Sequence, residues 1–332
     1  MIPPHFLSRR KLLLAAGAGM LAPGSALAQA AIRKYRLGVL SSSAAVFKDS
    51  HWVAFFQRLG ELGLVEGRNI IIERRDPDNR PERLPALGAE LAKLKCDVFF
   101  SGGAEATLAA LMTASRDTPI VVIAVDFDPV ATGDVASLAR PGSRVTGVTA
   151  MQSTMPAKRL ELLKEMLPSV GMVAVFTNGQ TSEQLSVVQG ASRRLGLTLH
   201  IVDFKTPPFD YEAGFASAVR AKADALFVLG SGLWVPARQT IIESALKARL
   251  PSVFHHSGWI GAGGLMSYGF SFPAMWRRGA EIVAAILRGA KVGDIPMEQP
   301  TTFELAINMR TAKALGLTIP QSILLRADRL FE

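Results

Sequence analysis

The sequence predicts an α/β fold of two doubly wound, parallel-sheet lobes joined by a hinge, and three observations predict it. Apolar strand-like runs alternate with amphipathic helical segments from residue 31 onward, the pattern of a parallel sheet wound with helices on both faces. The order of these segments then repeats, with offsets running from 127 to 133 residues. Finally, the 332-residue length and 49% hydrophobic content provide core for one large or two medium α/β domains.

Residues 1–30 stand apart from that pattern. Ser8-Arg9-Arg10-Lys11 precedes the apolar run Leu12 to Leu21, and Ala26-Leu27-Ala28 and Ala28-Gln29-Ala30 follow as small-residue cleavage points. Paired arginines before Leu12-Leu13 fit a twin-arginine export signal, with an ordinary Sec signal as the alternative. The apolar run is shorter than the ~20 residues a membrane-spanning helix needs. Cleavage near Ala28 or Ala30 leaves a periplasmic protein, and no cysteine follows the signal to carry a lipid. It also lowers the net charge from +9 to +6, with no dense basic run in the remainder, so a nucleic-acid partner is not expected. Cys96, the single cysteine, has no internal disulfide partner and reads as core filler.

In chain order, Tyr35–Leu40 is the first strand, and Trp52, Phe55, Phe56, Leu59 and Leu62 mark one face of the helix after it. Further strands are expected over Asn69–Glu73, Asp97–Phe100, Pro119–Val125, Gly171–Phe176, Leu197–Val202, Ala225–Leu229 and Pro251–Phe254. Leu160, Leu163 and Leu167 give a later helix its apolar stripe. The repeat pairs LGELGLVEGRNIII with RRLGLTLHIV, DVFFSGG with DALFVLGSG, and PIVVIAVDFD with LPSVFHHSG.

Ligands of open parallel sheets sit beyond the carboxyl ends of the strands. In the first half those ends are Ser41-Ser42-Ser43, Ser101-Gly102-Gly103 and Asp126-Phe127-Asp128; in the second they are Thr177-Asn178, Gly230-Ser231-Gly232 and His255-His256-Ser257. Two such rims face to face make a cleft, a favoured place for a small ligand.

Ser101-Gly102-Gly103 has the turn chemistry to offer N–H groups to an anion, but no G-x-x-x-x-G-K-[ST] or G-x-G-x-x-G pattern accompanies it. A carboxylate therefore fits better than a nucleotide phosphate, with a ligand-free strand-to-helix turn as the alternative. Asp126 and Asp128, two apart in an extended segment, point the same way, so one of them is expected to hold an ammonium or polar group. Capping a helix before Pro129 is the alternative for Asp128. Adjacent His255 and His256 point to opposite faces and lack metal-ligand spacing, so neither a metal nor a cofactor is expected. G-x-S-x-G is absent, which disfavours an esterase.

These residues sit within a wider resemblance. From about Arg36 to the end, the chain resembles the tryptophan-binding-like group of ABC-transporter substrate-binding proteins, which share the type I periplasmic-binding fold. The resemblance is carried by LGELGLVEGRNIIIE, DPVATGDVASLARPGSRVTGVT, KRLELLKEMLP, GGLMSYG, ILRGAKVGDIPMEQPTTFELAINMRTAKALGLTIP and the final Leu-Phe-Glu. It implies an N-terminal lobe of 31–149 plus 272–306 and a C-terminal lobe of 150–271 plus 307–332. Crossovers are then expected near Val148–Met151, Gly269–Phe272 and Leu305–Asn308.

The resemblance also implies a monomer that closes on a small solute, catalyses nothing and serves an ABC permease. Some relatives bind aromatic amino acids through the turn after the third strand and the Asp before Pro-Val. Here Ala104 stands where that turn often carries a hydroxyl, and two acids replace one. The expected ligand contacts are Ser42, Ser101, Gly102, Gly103, Ala104, Asp126, Asp128, Asn178 and Ser231, walled by Phe127, His255 and Tyr268. An extracytoplasmic sensor of the same fold and an exported α/β enzyme are the rival readings.

Overall fold

The computed structural model describes residues 34–42, 46–125, 127–151 and 155–332. The first half runs β1 (Tyr35–Ser41), α1 (Ser50–Glu61), β2 (Ile70–Arg75), α2 (Leu84–Lys93), β3 (Val98–Gly103), α3 (Glu105–Ala114), β4 (Ile120–Val125) and β5 (Val145–Ala150). The second runs α4 (Pro156–Met166), β6 (Met172–Asn178), α5 (Ser182–Leu195), β7 (Thr198–Phe204), α6 (Tyr211–Arg220), β8 (Ala225–Val228), α7 (Arg238–Lys247), β9 (Ser252–Phe254), α8 (Ser257–Gly261) and β10 (Met266–Phe270). Then follow α9 (Phe272–Leu287), β11 (Phe303–Asn308), α10 (Met309–Leu315), α11 (Gln321–Leu324) and β12 (Arg329–Phe331).

The repeat is visible in the strand order. One sheet reads β2-β1-β3-β4-β5; the other contains β7-β6-β8-β9-β10 and adds β11 and β12 beyond β10. Both halves therefore reverse strand order beside their first strand, which opens a crevice at β1/β3 and at β6/β8. Corresponding aspartates even do the same work. The Asp97 carboxylate accepts from the Arg36 amide at 2.7 Å, and Asp224 accepts from the Gly171 and Met172 amides at 2.9 and 2.8 Å.

Each sheet buries both faces, as parallel sheets must. Leu37, Val39 and Phe100 pack with Phe55 and Leu59 of α1 on one face of the first sheet, while Leu40, Phe99 and Val122 pack with Leu108 of α3 on the other. The second sheet divides likewise, with Val173, Phe227 and Val253 against Leu160 of α4 and Phe176, Val228 and Phe254 against Ile241 of α7. Each such side chain is worth ~1.5–3 kcal/mol of burial. Cys96 is buried and its thiol is pushed up to about 11 by desolvation, as core filler should be.

Two expectations need correction. The second sheet is mixed, because β11 runs antiparallel to β10, with Phe303 opposite Phe270 and Ile307 opposite Met266. After β10 the chain leaves as α9, whose Trp276, Ala280 and Val283 pack in the first-half core. It returns at the end it left, so β11 can only run back along β10. The third crossover consequently falls at 299–302, where the Ser271 amide donates to the Thr302 carbonyl, and Leu305–Asn308 lie inside β11. A boundary at 306 would cut that strand.

Candidate functional site

The first rim spends most of its polar groups on itself. β3 continues through Gly102 and Gly103, because β1 and β4 pair on either side: Ser41 and Ile123 both stand opposite Gly102, and Ala124 stands opposite Gly103. Ser101 is 0% exposed, with its Oγ 2.7 Å from Thr107 Oγ1. Thr107 gives its own proton to the Ala104 carbonyl at 2.6 Å, so the Ser101 hydroxyl donates inward to Thr107. Gly102 is required by the Trp52 indole, which would lie 2.3 Å from a Cβ there. Gly103 adopts φ +100 and Ala104 opens α3 in extended backbone, both half-buried, with Ser42 half-buried nearby.

Phe127 is not a wall. It belongs to the first-half core beside Leu40 and Phe99. Asp128 is exposed, and its Oδ1 accepts from the Val130 amide at 2.9 Å in a turn, with no helix following among the described residues for it to cap. Asp126 lies outside the described residues.

The second rim holds polar atoms it does not spend. Asn178, 3% exposed, ends β6 and accepts from the Gln180 amide through Oδ1 at 2.9 Å. That bond fixes the amide orientation, and among the described residues the buried Nδ2 has no hydrogen-bond partner. His255 is 4% exposed with its Nδ1 equally unpartnered. Buried polar atoms of this kind call for a bound water or ligand. Ser231, by contrast, is consumed: its Oγ accepts from the Leu233 amide at 3.1 Å and donates to Gln180 Oε1 at 3.0 Å. Tyr268 is half-buried on β10, its ring parallel to that of Phe303.

Around these stand residues that the sequence reading passed over. Arg159 of α4 is fully buried, and its charge, after burial itself, holds down the basicity of His255. Its signal was available, since it lies on the apolar stripe of α4 with Leu163 and Met166. Across the junction of the halves, the His256 ring stacks on Phe272 at 4.3 Å, and His51 of α1 meets Trp276 edge-on at 4.5 Å. His256 Nδ1 accepts from the Gly258 amide at 3.0 Å and so caps α8. Desolvation lowers His51 to about 4 and His255 to about 3, and holds His256 well below its ordinary value. All three imidazoles are neutral at pH 7. Asp49 and Arg238 complete the junction at 3.3 Å. Chemically the second rim offers buried hydrogen-bonding atoms at Asn178 and His255, with the fully buried charge of Arg159 acting on His255.

Comparison with known proteins decides the family. The family described as ABC transporter substrate binding protein matches residues 49–331. The chain belongs to that family. The family description points to a binding role, and substrate-binding proteins are extracytoplasmic. Among the described residues no helix is long and apolar enough to cross a membrane. Among curated substrate-binding relatives, the chain is 28% identical to a tyrosine-binding protein of Clostridioides difficile over 272 residues, which is 79% of this chain and 75% of that one. Among solved structures, a conserved domain protein of Vibrio cholerae superposes with a TM-score of 0.76 at 25% identity, covering 90% of this chain and 100% of its own. An ABC domain in complex with L-Trp from Streptococcus pneumonia gives 0.73 at 22% identity, covering 89% and 100%. The fold is thus that of type I periplasmic-binding proteins.

Proposed function

We propose that this chain is exported, captures an amino acid between the two rims, and hands it unchanged to an ABC permease. The observation that carries the reading is the family match joined to two sheets of one topology whose rims include buried, unspent hydrogen-bonding atoms. The names of its relatives, a tyrosine-binding protein and an L-Trp complex, support an amino acid as the solute. The paired arginines and the small-residue cleavage points of residues 1–30 support export.

In this reading the second rim does more of the polar work than the first. Asn178 Nδ2 donates to the solute's carboxylate, and His255 lines the recess beside it. The glycine turn at Gly103-Ala104 provides backbone contact, and Asp126 takes the ammonium group. Closure of the halves over the solute would supply the difference that the permease reads.

The test is a thermal-shift screen of the purified chain, lacking residues 1–30, against the common amino acids and small carboxylates. A solute that binds only the folded state at a hundred times its Kd adds about 2.7 kcal/mol, several degrees of midpoint. A rise confined to one amino acid or a related set is the expected result. No rise with any of them sinks the amino-acid reading, and turnover of a bound compound followed by NMR sinks the non-enzymatic one.

A further inference from the structure

Beside the junction the two halves line an open cavity of about 300 Å³, which shares Asp49, Arg238 and Ser257 with the residues described above. Lys48, Asp49 and Ser50 wall it from the first half; Arg238, Ser257 and Arg329 wall it from the second. Three cations thus face one acid, from three separate stretches of chain.

None of the three has its donors used up. Lys48 is exposed and makes no ion pair among the described residues. Arg238 meets both oxygens of Asp49, but at 3.3 and 3.4 Å, longer than a well-formed charge-assisted bond. Arg329 reaches Glu304 at 3.5 Å and otherwise lies over the Phe331 ring at 4.7 Å. A guanidinium carries five N–H donors and an ammonium three, so most of the donors here are unspent. The Ser50 and Ser257 side chains add hydroxyls of either polarity. The volume is at the lower end of small-ligand sites.

We propose that this cavity is a second binding site, for a small multivalent oxyanion held between Lys48, Arg238 and Arg329. The site differs from the proposed solute contacts Asn178 and His255 in residues and in chemistry, since it carries surplus positive charge on Lys48, Arg238 and Arg329. Its walls come from both halves, so an anion seated there favours the arrangement in which they meet. Solute and anion are then linked, each raising the other's affinity by the same factor.

The experiment is calorimetric titration of the purified chain, without added amino acid, using inorganic phosphate in one arm and citrate in the other. Sodium chloride at matched ionic strength is the control. Saturable one-to-one binding of at least one probe is expected, weakened about tenfold or more in the double variant Lys48→Ala, Arg329→Ala. Lys48→Glu, which alters an exposed residue with no partner to lose, should weaken it in the same direction without disturbing Arg329. Phosphate alone binding would assign the site to inorganic anions, and citrate alone to polycarboxylates. Neither probe exceeding the chloride control, or binding that both variants leave unchanged, overturns the proposal. Because no amino acid is present, that result is separate from failure of the solute reading.

Discussion

At the end of β3 the Ser101 hydroxyl is consumed by Thr107 and an indole covers Gly102; at the end of β6 the Asn178 amide keeps a buried donor with nothing to receive it. Both lie on the carboxyl edges of sheets with the same strand order, although the counterpart of β3 is β8, whose Ser231 is likewise consumed, and that of β6 is β1. Topology therefore delivered two equivalent rims, and side-chain supply made them unequal. Where a neighbouring helix presents a hydroxyl, as α3 does with Thr107, the strand end closes on itself. Where the neighbour satisfies only one side of an amide, as the Gln180 N–H does, the other side keeps an unspent donor, which the proposed solute would take.

Disrupting either half at a comparable place tests how far the likeness extends. Gly147 of β5, at φ +151, would place a Cβ 1.9 Å from the Val122 carbonyl oxygen, and Gly269 of β10 would place one 2.1 Å from that of His255. Both obstacles are backbone, which cannot swing aside. Gly147→Ala should cost well over about 3 kcal/mol and lower the melting temperature by roughly 10 °C. Gly269→Ala should cost nearly as much, its φ being unstrained. A mild effect at Gly147 would mean that the fifth strand of the first half tolerates displacement that packing forbids.

A smaller effect separates the junction from both rims. Burial and, for His256, the charges of His255, His51, Arg238 and Arg159 hold these imidazoles below their ordinary 6.5, with His255 at about 3. The unfolded chain thus binds more protons as pH falls below about 6.5. Stability is full above that value and is lost toward pH 3, by at most ~1.4 kcal/mol per pH unit for each imidazole. Asn at position 256 keeps an acceptor for the Gly258 amide and cannot titrate. His256→Asn should flatten the fall in denaturant midpoint between pH 7 and pH 5; an unaltered slope removes His256 from the account.

The smallest effect bears most directly on function. Asn178→Asp preserves an acceptor for the Gln180 amide while deleting the donor. Solute affinity should fall about tenfold or more, ~1.4 kcal/mol, and the buried carboxylate should lower the melting temperature as well. Ser101→Ala should leave affinity within about twofold and lose ~1 kcal/mol of stability instead. Equal affinity losses in titration calorimetry would abolish the distinction between the rims.

The strands that could be read in advance were those with unbroken apolar runs. β1, β4, β6 and β7 lie within a residue or two of where the sequence put them. The strands passed over carry glycine or polar residues or are very short: β5 is VTGVTA, β10 is MSYGF, β11 is FELAIN and β12 has three residues. Asn178 could be named from the sequence as a strand-end residue because it closely follows an apolar run, and it does end β6. Phe127 misled because the same local pattern fits a cleft wall and a core residue, and only the neighbouring Leu40 and Phe99 decide between them.

The sequence by itself determined the alternation of strand and helix, the repeat that makes two sheets of one order, and the family. Those follow from local periodicity and from matching segments, which need no knowledge of what lies across the molecule. Tertiary structure alone decided that β11 turns antiparallel, that Ser101 faces inward while Asn178 keeps a donor, and that His51, His256 and Phe272 meet at one junction. The reason is physical. A side chain's hydrogen-bonding debt and its charge environment are settled by groups dozens to hundreds of residues away, and only the packed chain brings them within reach.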